Sequence, residues 1–545
     1  MKRAIYFLMT IPFLLLMTGC GDDFLDRENL YQLDESTYYS TPQQIDEAVT
    51  AVYSALHPGN WQSSELMVAE LMSDDRFGSG GSEDINAQGL DQIQLTRDDL
   101  YDNLWAESYR GVFRANMLIK NFNRAKFDDQ EQRNQLLGEA HFLRAYFYFK
   151  LAKFWGTVPL IINPEADRNP PKAPADSIYA LIAYDLKKAI DVMPAKPYYD
   201  FPTGRATKWA AEALMARVWL FYTGVYEKTD MPVRGGGTIT KKMVQDWLVD
   251  LIDNSQHKLV DDFRNLWPYS ANPDYKFARV NNLKWAGDDE NNPEVIFSVK
   301  FSPLGDWGHI PYTNITIVAF GFRGLSNAPF GMGWGWASVN PQLWDSFEPG
   351  DLRREGSIIT LDTTIEGYNF HYKLGGWGCW WETGYYDKKY VPVYSRNAEG
   401  KWQSLYYQWW GGTPNIMLSS FQDMVKIRFA DVLLMAAELE CPDAQAYFDQ
   451  VRTRAGLASK PATLENIKEE RRHEFSGEGL RYFDLLRWHD VAAAFAKVKN
   501  VPIYNNAQPA TYDGPDFRPE TKGFLPIPPS QIRISGGVLE QNPGW

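Results

Sequence analysis

Leu137-Gly138-Glu139-Ala140-His141-Phe142-Leu143-Arg144-Ala145-Tyr146-Phe147-Tyr148-Phe149 spaces its apolar residues three and four apart. Ala140, Leu143, Phe147 and Leu151 therefore share one stripe of a helix that ends near Gly156. Trp209, Ala213, Ala216 and Leu220 repeat the pattern, with Thr207 as cap and Gly224 as stop. Ile178 to Ile190 and Met243 to Leu259 read as further amphipathic helices. Phe429, Leu433 and Ala436 mark another, and Leu464, Ile467, Arg471 and Phe475 one more. Helices in pairs, with small Ala where they touch, read as tetratricopeptide-like helix-turn-helix units. Their spacing is irregular, so the array is degenerate. The expected fold is mainly α.

Between about residues 260 and 425 the texture changes to Gly, Pro, Trp and Tyr, with short apolar runs at Val295–Val299 and Tyr390–Tyr394. Loops and short strands are expected there, as an insert between two helical blocks. Ordering so long an irregular segment is costly, and the usual return is function. The expected layout is a helical scaffold over about 36–260 and 425–495, the insert over 261–424 and a C-terminal extension over 496–545.

Apolar residues form 44% of the 545, enough for a large packed core, and the formal charge is −14. That charge, with no Lys/Arg block, excludes nucleic acid as a partner. Aromatic residues reach 15%, with 20 Trp. That density exceeds the needs of a core and points to rings on a binding surface. The Cys residues are Cys20, Cys379 and Cys441, with no zinc spacing among them. The last two could pair but need not.

The N-terminus has basic Lys2 and Arg3, a short apolar run, and Leu16-Met17-Thr18-Gly19-Cys20. This reads as a secretory signal over 1–19. It resembles the lipobox of bacterial lipoproteins, which implies acylation at Cys20. Gly21-Asp22-Asp23-Phe24-Leu25-Asp26 resembles the acidic signal that sends such lipoproteins to the outer face of the outer membrane.

Seven blocks in order resemble the SusD-like (RagB/SusD) family of surface nutrient-binding lipoproteins. They are Cys20 with Asp23–Asp26; Leu137–Phe149 with Phe154–Leu160; Ala206–Val218; Ile427–Glu438; Val451–Leu457; Glu470–Trp488; and the terminal Asn542-Pro543-Gly544-Trp545. The resemblance implies four tetratricopeptide-like helix pairs and a variable, loop-rich ligand region. It also implies a SusC-like TonB-dependent transporter beneath the lipoprotein, and a polysaccharide or oligosaccharide as ligand, with peptides or other nutrients as the alternative. Twenty Trp favour the glycan, and a row of rings suits a β-linked plant chain.

Enzyme signatures are missing: no HExxH, no GxSxG elbow after a strand and no Walker loop. A surface glycoside hydrolase stays the rival from another class, since 69 acidic residues can always supply two carboxylates. Glu470, Arg471, Arg472, Glu474 and Arg481 alternate in charge at helical spacing, which reads as ion pairing that fixes helix packing. No cofactor or metal site is expected.

A sugar site needs rings for the flat faces and polar groups for the hydroxyl rim. Trp61 and Asp75-Arg76 are candidates, because the resemblance implies that the loop beside them lines the ligand. In the insert, Trp307, Trp334 and Trp336 are the expected platform, with Tyr312 and Phe322 beside them, because flanking glycines would leave ring faces open. The clusters Gly375–Trp381 and Trp409–Gly412 compete with it.

Overall fold

The computed structural model describes residues 38–165, 169–202, 204–287, 292–307, 312–324 and 329–545. The signal segment and Cys20 lie outside them. Helix α1 (Pro42–Tyr53) packs on α2 (Asp102–Asn121), and α3 (Gln130–Trp155) on α4 (Ala175–Val192). Likewise α5 (Lys208–Tyr226) packs on α6 (Lys241–Asn254), and α7 (Phe429–Glu438) on α8 (Ala444–Arg454). Successive pairs touch through α2–α3, α4–α5 and α6–α7, which makes the expected tetratricopeptide-like array of four pairs.

Helix α3 shows why the array closes. Ala140, Leu143, Phe147 and Leu151 are all fully buried, and neighbours on either side bury the other faces as well. Its polar residues are consequently paired. Arg144 forks onto Asp185 of α4 at 2.7 and 2.8 Å, and His141 Nδ1 lies 2.6 Å from the same carboxylate. Small residues mark the contacts: a Cβ on Gly111 of α2 would sit 2.3 Å from the Phe147 ring. Gly156 ends the helix at φ +72°, a conformation that glycine adopts without strain.

Two helix limits differ from the sequence reading. Thr207 caps α5 by accepting from the Ala210 amide, but the helix runs past Gly224 to Tyr226. Gly224 is small for another reason, since a Cβ there would lie 2.5 Å from the Arg487 carbonyl. Helix α6 stops at Asn254, short of Leu259.

Strand β1 (Val295–Val299) pairs antiparallel with β2 (Met424–Arg428), so the chain between them leaves and rejoins the scaffold at one two-stranded neck, which lies well past residue 261, the expected start of the insert. Tyr390–Val393 is buried but is not a strand; only Tyr394 begins one, Tyr394–Arg396, paired with Trp402–Ser404. Pro392 has no amide to give a ladder. At the far end, Asn542 Nδ2 donates to the carbonyls of Trp155 and Leu525, pinning the C-terminus over the end of α3. Cys379 and Cys441 are buried and unpaired.

Ion pairs join these parts. Helix α9 (Leu464–Glu474) presents Glu474, which accepts from Arg353 of the insert at 3.1 Å, Arg428 of β2 at 2.5 Å, and Arg454 of α8. Arg353 also bonds Glu470 at 2.5 Å, while Arg471 bridges Asp431 of α7 and Asp484. The alternating charges of α9 are thus structural. Burial alone would raise the Glu474 pKa, but Arg454, Arg428 and Arg353 hold it well below the usual carboxylate range. Asp431 is held low in the same way, against burial, by Arg217 and Arg471.

A carboxylate with a depressed folded pKa adds stability above its unfolded value, near 4, and loses it as pH falls toward the folded value. Urea midpoints should therefore stay level from neutral pH to about 5 and drop below about 4. Glu474→Gln should cost about 3–5 kcal/mol at neutral pH by leaving guanidiniums buried without their acceptor. A variant as stable as wild type would show that other acceptors satisfy them.

Candidate ligand-binding surface

The turn Trp61–Ser63 sets Trp61 against two rings of the insert. Asn60 caps this turn by accepting from the Gln62 amide at 3.0 Å. The Trp61 ring lies 4.4 Å from that of Trp334 and 4.8 Å from that of Trp336, centroid to centroid. Three of the expected rings thus meet, although they are not equally open. Trp61 and Trp334 are half-buried, whereas Trp336 is only 2% exposed and Phe322 is fully buried against Tyr386, Phe370 and Tyr372.

Trp336 and Phe322 are therefore packing residues, a correction to the platform reading. The flanking glycines admit neighbouring backbone instead of exposing rings. A Cβ on Gly333 would lie 2.4 Å from Gly321 Cα, and one on Gly335 would lie 2.9 Å from Arg323 Cβ.

Asp75 and Arg76 are corrected likewise. Both are only 2% exposed. Asp75 accepts from Arg472 at 2.5 and 2.9 Å, and Arg76 bonds Glu70 at 2.9 Å and Asp387 at 2.5 Å. These are ties between the N-terminal loop, the insert and α9, with no face left for a ligand hydroxyl. An Asp-Arg dipeptide in a loop looks the same in sequence whether it is solvated or buried.

The most open ring beside the Trp61–Trp334 pair is Trp377, 75% exposed, from the cluster Gly375–Trp381. Its backbone sits at φ +56° and its ring covers Gly324, where a Cβ would lie 2.4 Å from it. Arg323 links the two parts, donating from Nε to the Trp377 carbonyl at 3.1 Å and from Nη1 to the Trp334 carbonyl at 3.3 Å. The same guanidinium approaches Glu83 at 3.2 Å and Asp84 at 3.5 Å. Asn86 Nδ2 donates to Gln62 Oε1 at 3.2 Å. Arg323 thus ties the backbone of Trp377 to that of Trp334, with two carboxylates on the same guanidinium, and the Asn86–Gln62 amide pair sits beside the turn that carries Trp61. Glycines on either side of Trp377 were the visible sign of it; Arg323, Glu83 and Gln62 carried no sign at all.

Trp307 and Tyr312 are 62% and 45% exposed, and the Tyr312 carbonyl accepts from the Ser302 amide at 2.9 Å. A separate stack joins Trp285 to Trp409, 5.1 Å apart and nearly parallel, and Tyr406 to Trp410, which is 45% exposed.

Chemically, the surface can stack and hydrogen-bond. Its own backbone amide and Ser82 hold the Glu83 carboxyl below its ordinary range, and Arg323 adds to this, so it is no proton donor at neutral pH. Among the described residues, no group of three His, Cys, Asp or Glu is arranged for a metal ion, and no helix is long and apolar enough to cross a membrane.

The class these features define is a helical-repeat scaffold that carries a solvent-facing aromatic and polar surface. Residues 23–220 match a family model described as "Starch-binding associating with outer membrane", and residues 293–545 match the SusD family model. The chain belongs to the SusD-like (RagB/SusD) family. A SusD-like protein of Bacteroides ovatus is 25% identical over 87% of this chain and 80% of its own. SusD-like protein P2 of Formosa agariphila is 23% identical over 99% of each. Among solved structures, surface glycan-binding protein A from Bacteroides fluxus shares 26% identity at TM-score 0.72, covering 93% of this chain and all of that one. A laminarin-binding SusD-like protein shares 25% at 0.70 with the same coverage.

Packing and presentation separate by stability. Trp336→Ala and Phe322→Ala should each cost about 3–5 kcal/mol, while Trp377→Ala should stay within about 0.5 kcal/mol. Urea melts decide this, and a large loss for Trp377→Ala would make that ring a packing residue too.

Proposed function

We propose that this protein is a cell-surface, lipid-anchored glycan receptor. It captures a polysaccharide or oligosaccharide on Trp377, Trp334 and Trp61 and passes it, unreacted, to a SusC-like TonB-dependent transporter. Trp377 carries the reading: a large ring is held open on a strained backbone beside Arg323, Glu83 and Asp84. A sugar face can stack on such a ring while its hydroxyls meet the adjoining charges. Asp75 and Arg76 have no part in this version of the site. Trp307 and Tyr312, both exposed, are further candidate rings.

Family membership supports the anchor at Cys20 and the transporter. The solved relatives named for glycan and laminarin binding support the ligand class. Glu83 does not suit the acid role that glycosidases need, since its carboxyl is held below the ordinary range.

Affinity electrophoresis against laminarin, plant hemicelluloses and starch tests the proposal. Retardation by one glycan class is expected, with no reducing ends released. Trp377→Ala and Trp334→Ala should each weaken that binding about tenfold or more, equivalent to about 1.4 kcal/mol per ring. If no polysaccharide retards the wild-type protein, the glycan reading fails and peptides become the ligands to test. Release of reducing ends would instead mark an enzyme.

A further inference from the structure

The short helix Ile85–Asp91 has two sides with different company. Asn86 reaches Gln62 on the Trp61–Trp334 side. Ile85, Gln88 and, just past the helix, Gln92 line a separate cleft of about 490 Å³, within the usual size range of small-ligand sites. Trp381 walls this cleft, and Gln94, Asn505 and Thr511 add polar groups around it.

Trp381 is held in place on several sides. Its amide donates to Asn505 Oδ1 at 2.9 Å, and its ring meets Tyr512 edge-on at 5.4 Å. The backbone lies at φ +51°, a conformation that a bulky residue keeps only where its surroundings enforce it. The immediately preceding Cys379–Trp380 pairs with Gly80–Gly81, so a two-stranded contact separates this ring from Trp377.

The lining selects the ligand. Amides and hydroxyls supply donors and acceptors together, and no cation lines the cleft, Asp513 being its one charged residue. Phosphates and carboxylates find no counter-charge there. A neutral polyol with a flat apolar face fits both the ring and the amides.

We infer that this cleft is an auxiliary sugar subsite, holding a further stretch of the neutral glycan chain bound on the Trp334–Trp377 surface. The inference rests on the glycan reading. The two surfaces flank one helix, so they lie roughly a helix diameter apart, about 10 Å. A chain of several sugars reaches both, and a disaccharide fills only the first.

Isothermal titration with laminarin and its disaccharide, laminaribiose, tests it, on wild type, Trp381→Ala and Thr511→Trp. If electrophoresis identifies another polysaccharide as the ligand, that polymer and its disaccharide take their place. Thr511 is exposed on the strand Gln508–Tyr512, so a Trp there fills the cleft without removing any packing; it decides the matter if Trp381→Ala does not fold. Both variants should weaken polymer binding about tenfold and leave the disaccharide unchanged. Unchanged polymer affinity in the folded variants overturns the subsite. Equal losses for polymer and disaccharide overturn it too, by making the cleft part of the first surface. Wild-type protein that binds no polysaccharide at all removes the glycan reading itself.

Discussion

Glu474 is one carboxylate shared by guanidiniums from three parts of the chain that sequence places far apart. Arg353 comes from the insert, Arg428 from the returning strand of its neck, and Arg454 from the last helix pair. Glu294, just before the outgoing strand, accepts from two of the three, Arg428 and Arg454, each at 2.8 Å. Replacing such a cluster wholesale with apolar side chains is often neutral in stability, so its contribution lies elsewhere. A planar guanidinium bonds only in the directions of its fork, and several forks on one acceptor fix their elements in angle as well as distance. Apolar packing between the insert and the scaffold would tolerate sliding, and this cluster does not.

That fixity bears on ligand capture. A stacked ring adds only about 1 kcal/mol beyond the area it buries, and ordering a loose loop costs a comparable amount for each long side chain immobilised. A platform built on a wandering insert would give back most of what it gained. Asp75 and Arg76 belong to this logic, although they touch no ligand. Through Arg472, Glu70 and Asp387 they lock the loop beside Trp61 to α9 and to the insert. The rings of the surface are thereby positioned from both sides.

The scaffold was legible because helical packing writes itself into sequence as period and small residues. The stripe of α3, the Thr207 cap and the Gly156 stop are local signals, and the charge alternation of α9 shows pairing even before the partners are known. Gly224 misled because one residue type serves two purposes: it ends helices, and it admits a close neighbour. The same ambiguity moved the platform. Glycines around Trp334 and Trp336 looked like openings for ring faces, yet Gly333 meets Gly321 and Gly335 meets Arg323, contacts between stretches that only the folded insert brings together. The identical pattern around Trp377 does leave a ring exposed. Local sequence cannot separate the two cases, because the occupant of the space beside a glycine is set by tertiary contact.

The segment Gly375–Glu382 shows how the chain holds such rings. It carries two Trp residues at positive φ, Trp377 and Trp381, and each such conformation costs on the order of 1–3 kcal/mol in isolation. Glu382 offsets that cost at the end of the segment. Fully buried, it accepts from the Tyr372 hydroxyl at 2.8 Å, the Tyr386 hydroxyl at 2.5 Å and the Gly375 amide, while its own amide and carbonyl bridge to Tyr504. Burial pushes its carboxyl up toward the neutral form, although the Tyr386 hydroxyl and the Gly375 amide favour the charge. Both ends of an eight-residue segment are thus joined through one side chain, which leaves the rings between them little freedom to relax. Strain kept in this way favours presentation over packing, since a ring needed only for the core would settle into a relaxed backbone. One anchored segment therefore presents Trp377 on one surface and Trp381 in the cleft.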